Sequence, residues 1–127
     1  PALRDGDLVL TSGQLPFVAG ALPATGKVGA EVTPERAQEL ARVCAVNAVA
    51  AVHELVGDLD RVAQVVKVVG FVASDPAFTG QPGVVNGASD VLAEIFGEAG
   101  RHARSAVGVA VLPMDAPVEV EITVRVR

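Results

Sequence analysis

With 127 residues, half of them hydrophobic and 20% charged, the chain has the size and composition of one folded domain, 1–127, and not of a disordered segment. A formal net charge of −5 supplies no basic field for a phosphate backbone, and four Phe with no Trp or Tyr make no stacking ladder, so nucleic acid is excluded as an expected partner. The lone Cys44 excludes an internal disulfide and a cysteine metal site, fitting a reducing, cytoplasmic setting, and no long uncharged apolar run or basic-then-apolar leader predicts contact with a membrane.

In chain order, Leu8-Val9-Leu10-Thr11-Ser12 lies between Asp5-Gly6-Asp7 and Gly13 and predicts a first strand. The turn chemistry of Pro23-Ala24-Thr25-Gly26 then predicts a hairpin returning through a second strand around Lys27-Val28. A helix starts at Thr33-Pro34-Glu35, where a Thr cap, a Pro in the first position and an acid in the first turn all suit a helix N-terminus. Its predicted apolar stripe is Ala37, Leu40, Cys44, Ala48, Ala51 and Leu55, and Gly57 stops it. Residues 61–73 are too rich in Val for a comfortable helix and predict a buried central strand, closed by Ser74-Asp75-Pro76.

Gln81-Pro82 opens a second helix with the stripe Ala88, Val91, Leu92, Ile95 and Phe96, ended by Gly97 and Gly100. Two last strands, over about 103–112 and 118–126, flank the turn Pro113-Met114-Asp115-Ala116-Pro117. Strict alternation in the final strand sets Glu119, Glu121, Thr123 and Arg125 on one face and the apolar residues on the other. The order ββαβαββ predicts an α+β fold with one mixed sheet and both helices on one face. A composition dominated by Val and Ala, with few aromatic anchors, leaves apolar surface for another subunit to cover.

No glycine-rich phosphate loop and no HExxH zinc helix is present. Of the two histidines, His53 falls late in the first helix, where a cation suits the helix dipole, and Cys44 sits on an apolar stripe, as a small core residue does. The run Gly100-Arg101-His102-Ala103-Arg104-Ser105 gathers cations where a strand begins. An arginine so placed presents a rigid two-pronged donor to a carboxylate, or else it is solvated or paired with a surface acid. Glu119 and Glu121 carry the same pair of readings.

Four segments in order, Leu10-Thr11-Ser12-Gly13-Gln14-Leu15-Pro16, Asn86-Gly87-Ala88-Ser89, Ala103-Arg104-Ser105-Ala106-Val107 and Leu112-Pro113 followed by Val118-Glu119-Val120-Glu121, resemble the YjgF/RidA family. The resemblance implies a chorismate-mutase-like fold, a homotrimer with clefts between subunits, and hydrolysis of reactive enamines and imines such as 2-aminoacrylate to 2-keto acids and ammonia without a cofactor or metal. Carried over by motif, Arg104 would pair with the substrate carboxylate and Glu119 would hold or activate water. Ser12 and Gly13 would line the cleft, Asn86 would border it, and Arg101 and His102 would shape its mouth. The chain departs from the deaminases in having no tyrosine, the family's cleft tyrosine aligning before Pro1, and in placing Ala106 where a larger residue is common. Its segment Gly97-Glu98-Ala99-Gly100-Arg101-His102 is similar to that of a divergent subgroup. Two alternatives stand beside the deaminase: a small-carboxylate (2-keto acid) binding protein using the same arginine, and a ribonuclease, which the acidic charge disfavours.

Overall fold

A computed structural model describes residues 1–127. Strands β1 (Ala2–Asp5) and β2 (Leu8–Thr11) form an antiparallel hairpin in which Asp5 pairs with Leu8 across the two-residue loop Gly6-Asp7. Gly6 takes φ 63, which a side chain would disfavour. The partner of the first expected strand therefore precedes it. Lys27-Val28 is not a strand: Val28 makes isolated bridges to Val32 and Ser74, because Gly26 at φ 115 and Gly29 at φ 92 break the extended run on both sides.

Helix α1 (Pro34–Val56) begins where the sequence predicts, with Thr33 Oγ1 accepting from the Arg36 N–H at 3.1 Å, and ends at Gly57 with φ 82. Strand β3 (Val62–Ala73), helix α2 (Gln81–Phe96) and strands β4 (Ala103–Val109) and β5 (Val118–Val126) complete the order. Strand β4 stops short of 112 because β3, its one neighbour, ends at Ala73, which pairs with Val109. The chain then leaves the sheet, and Leu112 packs with Ala73 and Ala116 in a small second cluster.

The sheet runs β1-β2-β5-β3-β4, with β3 and β4 parallel across the α2 crossover and every other pair antiparallel. On one face, Val65, Val68 and Val72 of β3 and Val118, Val120, Ile122, Val124 and Val126 of β5 join the buried sides of α1 and α2 in a single core. Both helices cover that face. Their buried faces are wider than the predicted stripes and stop before the last turn: α1 also buries Val49 and Val52 and leaves Leu55 43% exposed, and α2 also buries Val84 and Val85 and leaves Ile95 42% exposed. Leu55 and Ile95 lie on the predicted lines but fall in the last turn of their helices, where exposure rises. The helices cross closely at Gly87, where a Cβ would lie 2.0 Å from the Gln38 carbonyl oxygen.

The opposite face of the sheet is covered by neither helix, and only its end at Phe71 and Ala73 is packed, by the small cluster of Leu112 and Ala116. Pairing sets Leu3, Leu10 and Thr123 in one row across it and Glu119, Phe71 and Val107 in another. Leu3, Leu10 and Val107 are 68%, 41% and 43% exposed.

Candidate functional site

Two groups of the expected residues come together separately. The first forms where β4 starts beside α2. Arg104 pairs in register with Val68, and Val68 with Ile122, so its side chain leaves the sheet on the helix face. There Nη1 donates to Asn86 Oδ1 at 2.8 Å and to Ser89 Oγ at 3.2 Å, and Nη2 reaches the Pro82 carbonyl at 3.4 Å. Asn86 and Ser89 are three residues apart on one helical face, so a single exposed turn of α2 supplies both acceptors. All of the partners are neutral, and Arg104 forms no ion pair. Its Nε–H and one Nη2 hydrogen have no acceptor in the chain, so two donors of a rigid fork stay free for an anion.

The second group lies on the sheet face opposite the helices. Between Leu10↔Thr123 and the bridge Gln14↔Val120, the β2 side holds one residue more than β5, which makes a bulge of Ser12-Gly13 beside Glu121 and Glu119. Thr11 Oγ1 accepts from the Ile122 N–H at 3.0 Å where the regular ladder is interrupted, and Gln14 re-enters it through the Val120 carbonyl at 2.8 Å. Gly13 is required by closeness: a Cβ there would stand 2.7 Å from the Glu119 carboxyl carbon. Partial burial, and secondarily the like charge of Glu121, raise the Glu119 pKa above the usual carboxylate value. No cation pairs with Glu119.

Within one chain the two groups do not meet. Arg104 leaves the helix face of an edge strand, while Glu119 leaves the other face of β5, with β3 between them. The surface depressions of the single chain, the largest about 500 Å³ beside Pro1 and Leu55, are lined by neither residue.

Arg101 is exposed and faces Glu98 at 3.4 Å. His102 turns inward instead: Nε2 lies 2.9 Å from Ser89 Oγ and Nδ1 2.6 Å from the Gly100 carbonyl oxygen. Ser89 was legible only as part of a motif, and its three-residue spacing from Asn86 was the available signal of a functional partner. His53 is exposed at the end of α1. Cys44 is fully buried, its Sγ 3.7 Å from the Val118 carbonyl oxygen, and burial drives its pKa far up, so it stays a neutral thiol. No three or more His, Cys, Asp or Glu side chains gather in an arrangement that could hold a metal ion, and no helix is long and apolar enough to cross a membrane.

Residues 3–124 match the family described as "YjgF/chorismate_mutase-like, putative endoribonuclease". Protein TCP17 of Trypanosoma cruzi is 51% identical over 119 residues, which span 91% of this chain and 73% of that protein. Among solved structures, Atu1372 of Agrobacterium tumefaciens, a protein of unknown function, superposes with a TM-score of 0.97 at 47% identity, over 100% of this chain and 80% of its own. TdcF of E. coli, solved with bound serine, superposes with a TM-score of 0.61 at 25% identity, over 99% of this chain and 85% of its own.

Proposed function

The chain belongs to the YjgF/chorismate-mutase-like (YjgF/RidA) family, and on that premise we propose that it hydrolyses reactive 2-enamino and 2-imino acids to 2-keto acids and ammonia in clefts between the subunits of a homotrimer. The observation that carries this reading is Arg104, a guanidinium oriented by neutral partners and left without an anion of its own. A fork held in this way grips a carboxylate in two places at little further ordering cost. The serine bound to TdcF is a small carboxylate ligand, and loss of water from serine yields 2-aminoacrylate, the simplest substrate of the proposed kind.

In this reading Arg104 of one protomer holds the carboxylate, and Glu119 of a neighbouring protomer faces the reacting carbon. 2-Aminoacrylate isomerises to its imine, whose sp² carbon accepts water. Glu119 takes a proton from the attacking water as the C–O bond forms and gives it to nitrogen as the C=N double bond opens, and it then carries the proton of the new hydroxyl to nitrogen as the carbonyl closes and the C–N bond breaks to release ammonia. A carboxylate with a raised pKa suits both halves of this exchange, since it parts with the proton more readily at neutral pH than an ordinary base of higher pKa and holds it longer than an ordinary carboxylate. The imine is electrophile enough to need no metal or organic cofactor, so the protein contributes orientation and one proton carrier.

The test is a coupled assay in which a pyridoxal-phosphate dehydratase generates 2-aminoacrylate from serine and the release of ammonia is followed. Adding this protein should accelerate release beyond the spontaneous rate. No acceleration, together with retained binding of pyruvate, would sink the deaminase and leave the carboxylate-binding protein.

A further inference from the structure

Arg104 is tied to a hydrogen-bond chain through Ser89 and His102 whose direction, for a neutral imidazole, follows from its ends. The Gly100 carbonyl can only accept, so the His102 nitrogen 2.6 Å from it, Nδ1, carries the proton. In the neutral ring Nε2 is then an acceptor, and the Ser89 hydroxyl 2.9 Å away must donate to it. With its only hydrogen committed, Ser89 Oγ turns its lone pairs toward Arg104, whose Nη1 donates at 3.2 Å. Asn86 Oδ1 takes the other Nη1 hydrogen at 2.8 Å.

We propose that Ser89 and His102 are positioning residues for Arg104: the relay from the Gly100 carbonyl through His102 and Ser89 locks Nη1 to α2 and so holds Nε–H and the Nη2 hydrogen not taken by the Pro82 carbonyl ready for a ligand carboxylate. The proposal rests on the reading of Arg104 as the carboxylate grip. Without the relay the serine hydroxyl would have its own hydrogen to place and a free rotor, and Arg104 would keep a single anchored hydrogen at Nη1. The guanidinium would then swing about its last torsions and lose orientation on every binding event. In this role His102 acts from behind Ser89.

Two measurements test this. In protein labelled with ¹⁵N-histidine, His102 should show the neutral tautomer protonated at Nδ1, the minority form of free imidazole, and a resonance pattern of the Nε2-protonated form would overturn the relay. Pyruvate titrated into wild type, Ser89→Ala and Ser89→Thr should bind Ser89→Ala roughly tenfold more weakly and Ser89→Thr nearly as wild type, the loss expected when one charge-assisted hydrogen bond and the order it imposes are removed. In turnover the Ser89→Ala defect should appear mainly in KM. Thermal melting of all three proteins separates this from simple unfolding, because a purely structural serine would lower the melting temperature and leave the affinity of the folded protein unchanged. Wild type that binds pyruvate while Ser89→Ala binds it equally well overturns the positioning role alone. Wild type that does not bind pyruvate overturns the reading of the site, and the role with it.

Discussion

Arg104 and Glu119 would act on different parts of the substrate, so their removal should leave different signatures. On the proposed reading Arg104 would touch the carboxylate in ground and transition states alike, so Arg104→Ala should weaken pyruvate by about 1.5–3 kcal/mol as well as abolish turnover. Glu119 would act on water and the departing nitrogen alone, so Glu119→Gln should keep pyruvate affinity while turnover falls roughly 10²–10⁴-fold. Equal effects of both on binding would strip Glu119 of its role. The raised pKa of Glu119 adds a pH signature: as a base it works when ionised, so kcat should rise with pH through a midpoint higher than that of an ordinary glutamate. Glu121→Gln removes one of the two causes of the shift and should move that midpoint to lower pH. The sign for stability is opposite to that of a salt-bridged acid. A carboxyl whose folded pKa is raised contributes stability that is full below its unfolded pKa and lost as pH rises through the folded one, so Glu119→Gln should stabilise the protein more at pH 8 than at pH 4 in urea unfolding.

At the scale of elements, small residues decide how closely the parts approach. Gly87→Ala would set a Cβ 2.0 Å from the Gln38 carbonyl oxygen on the backbone of α1, so the helices must separate, and a loss of about 1–3 kcal/mol is expected in urea unfolding. Gly13→Ala meets only the end of a flexible side chain, 2.7 Å from the Glu119 carboxyl carbon, and should move Glu119 and lower turnover with little change in stability. The elements whose signals are local were legible in the sequence: the Thr33 cap and Gly57 stop bound α1, the Val run gave β3, and alternation gave the faces of β5. Strand β1 was not legible, because Ala2–Asp5 has no run of β-formers and is a strand by virtue of pairing with Leu8–Thr11. Turn chemistry at residues 23–26 misled in the other direction, since flanking glycines at Gly26 and Gly29 reduce the expected strand to bridges at Val28. Of the site, the cation at a strand start marked Arg104, and the His102–Ser89 contact stayed hidden because it joins a strand entry to a helix 13 residues away.

For the whole molecule the separation of Arg104 from Glu119 is the decisive fact, because one chain presents them on opposite faces of its sheet. The sheet face that bears Glu119, opposite the helices, also bears Leu3, Leu10 and Val107, apolar groups of the kind a subunit contact removes from water. Val107→Asp should therefore give a folded monomer by light scattering and circular dichroism, inactive although both site residues are intact. A mixing experiment then asks whether each site draws its two residues from two protomers. Arg104→Ala and Glu119→Gln proteins should each be inactive as homotrimers. Co-assembled at equal amounts, they place an intact Arg104 from one variant against an intact Glu119 from the other at about a quarter of the interfaces, if each cleft pairs one protomer with its neighbour in a closed ring. Activity should return to about a quarter of wild type, in proportion to those interfaces. A site formed within one chain would be broken in every subunit of the mixture, and no activity would return.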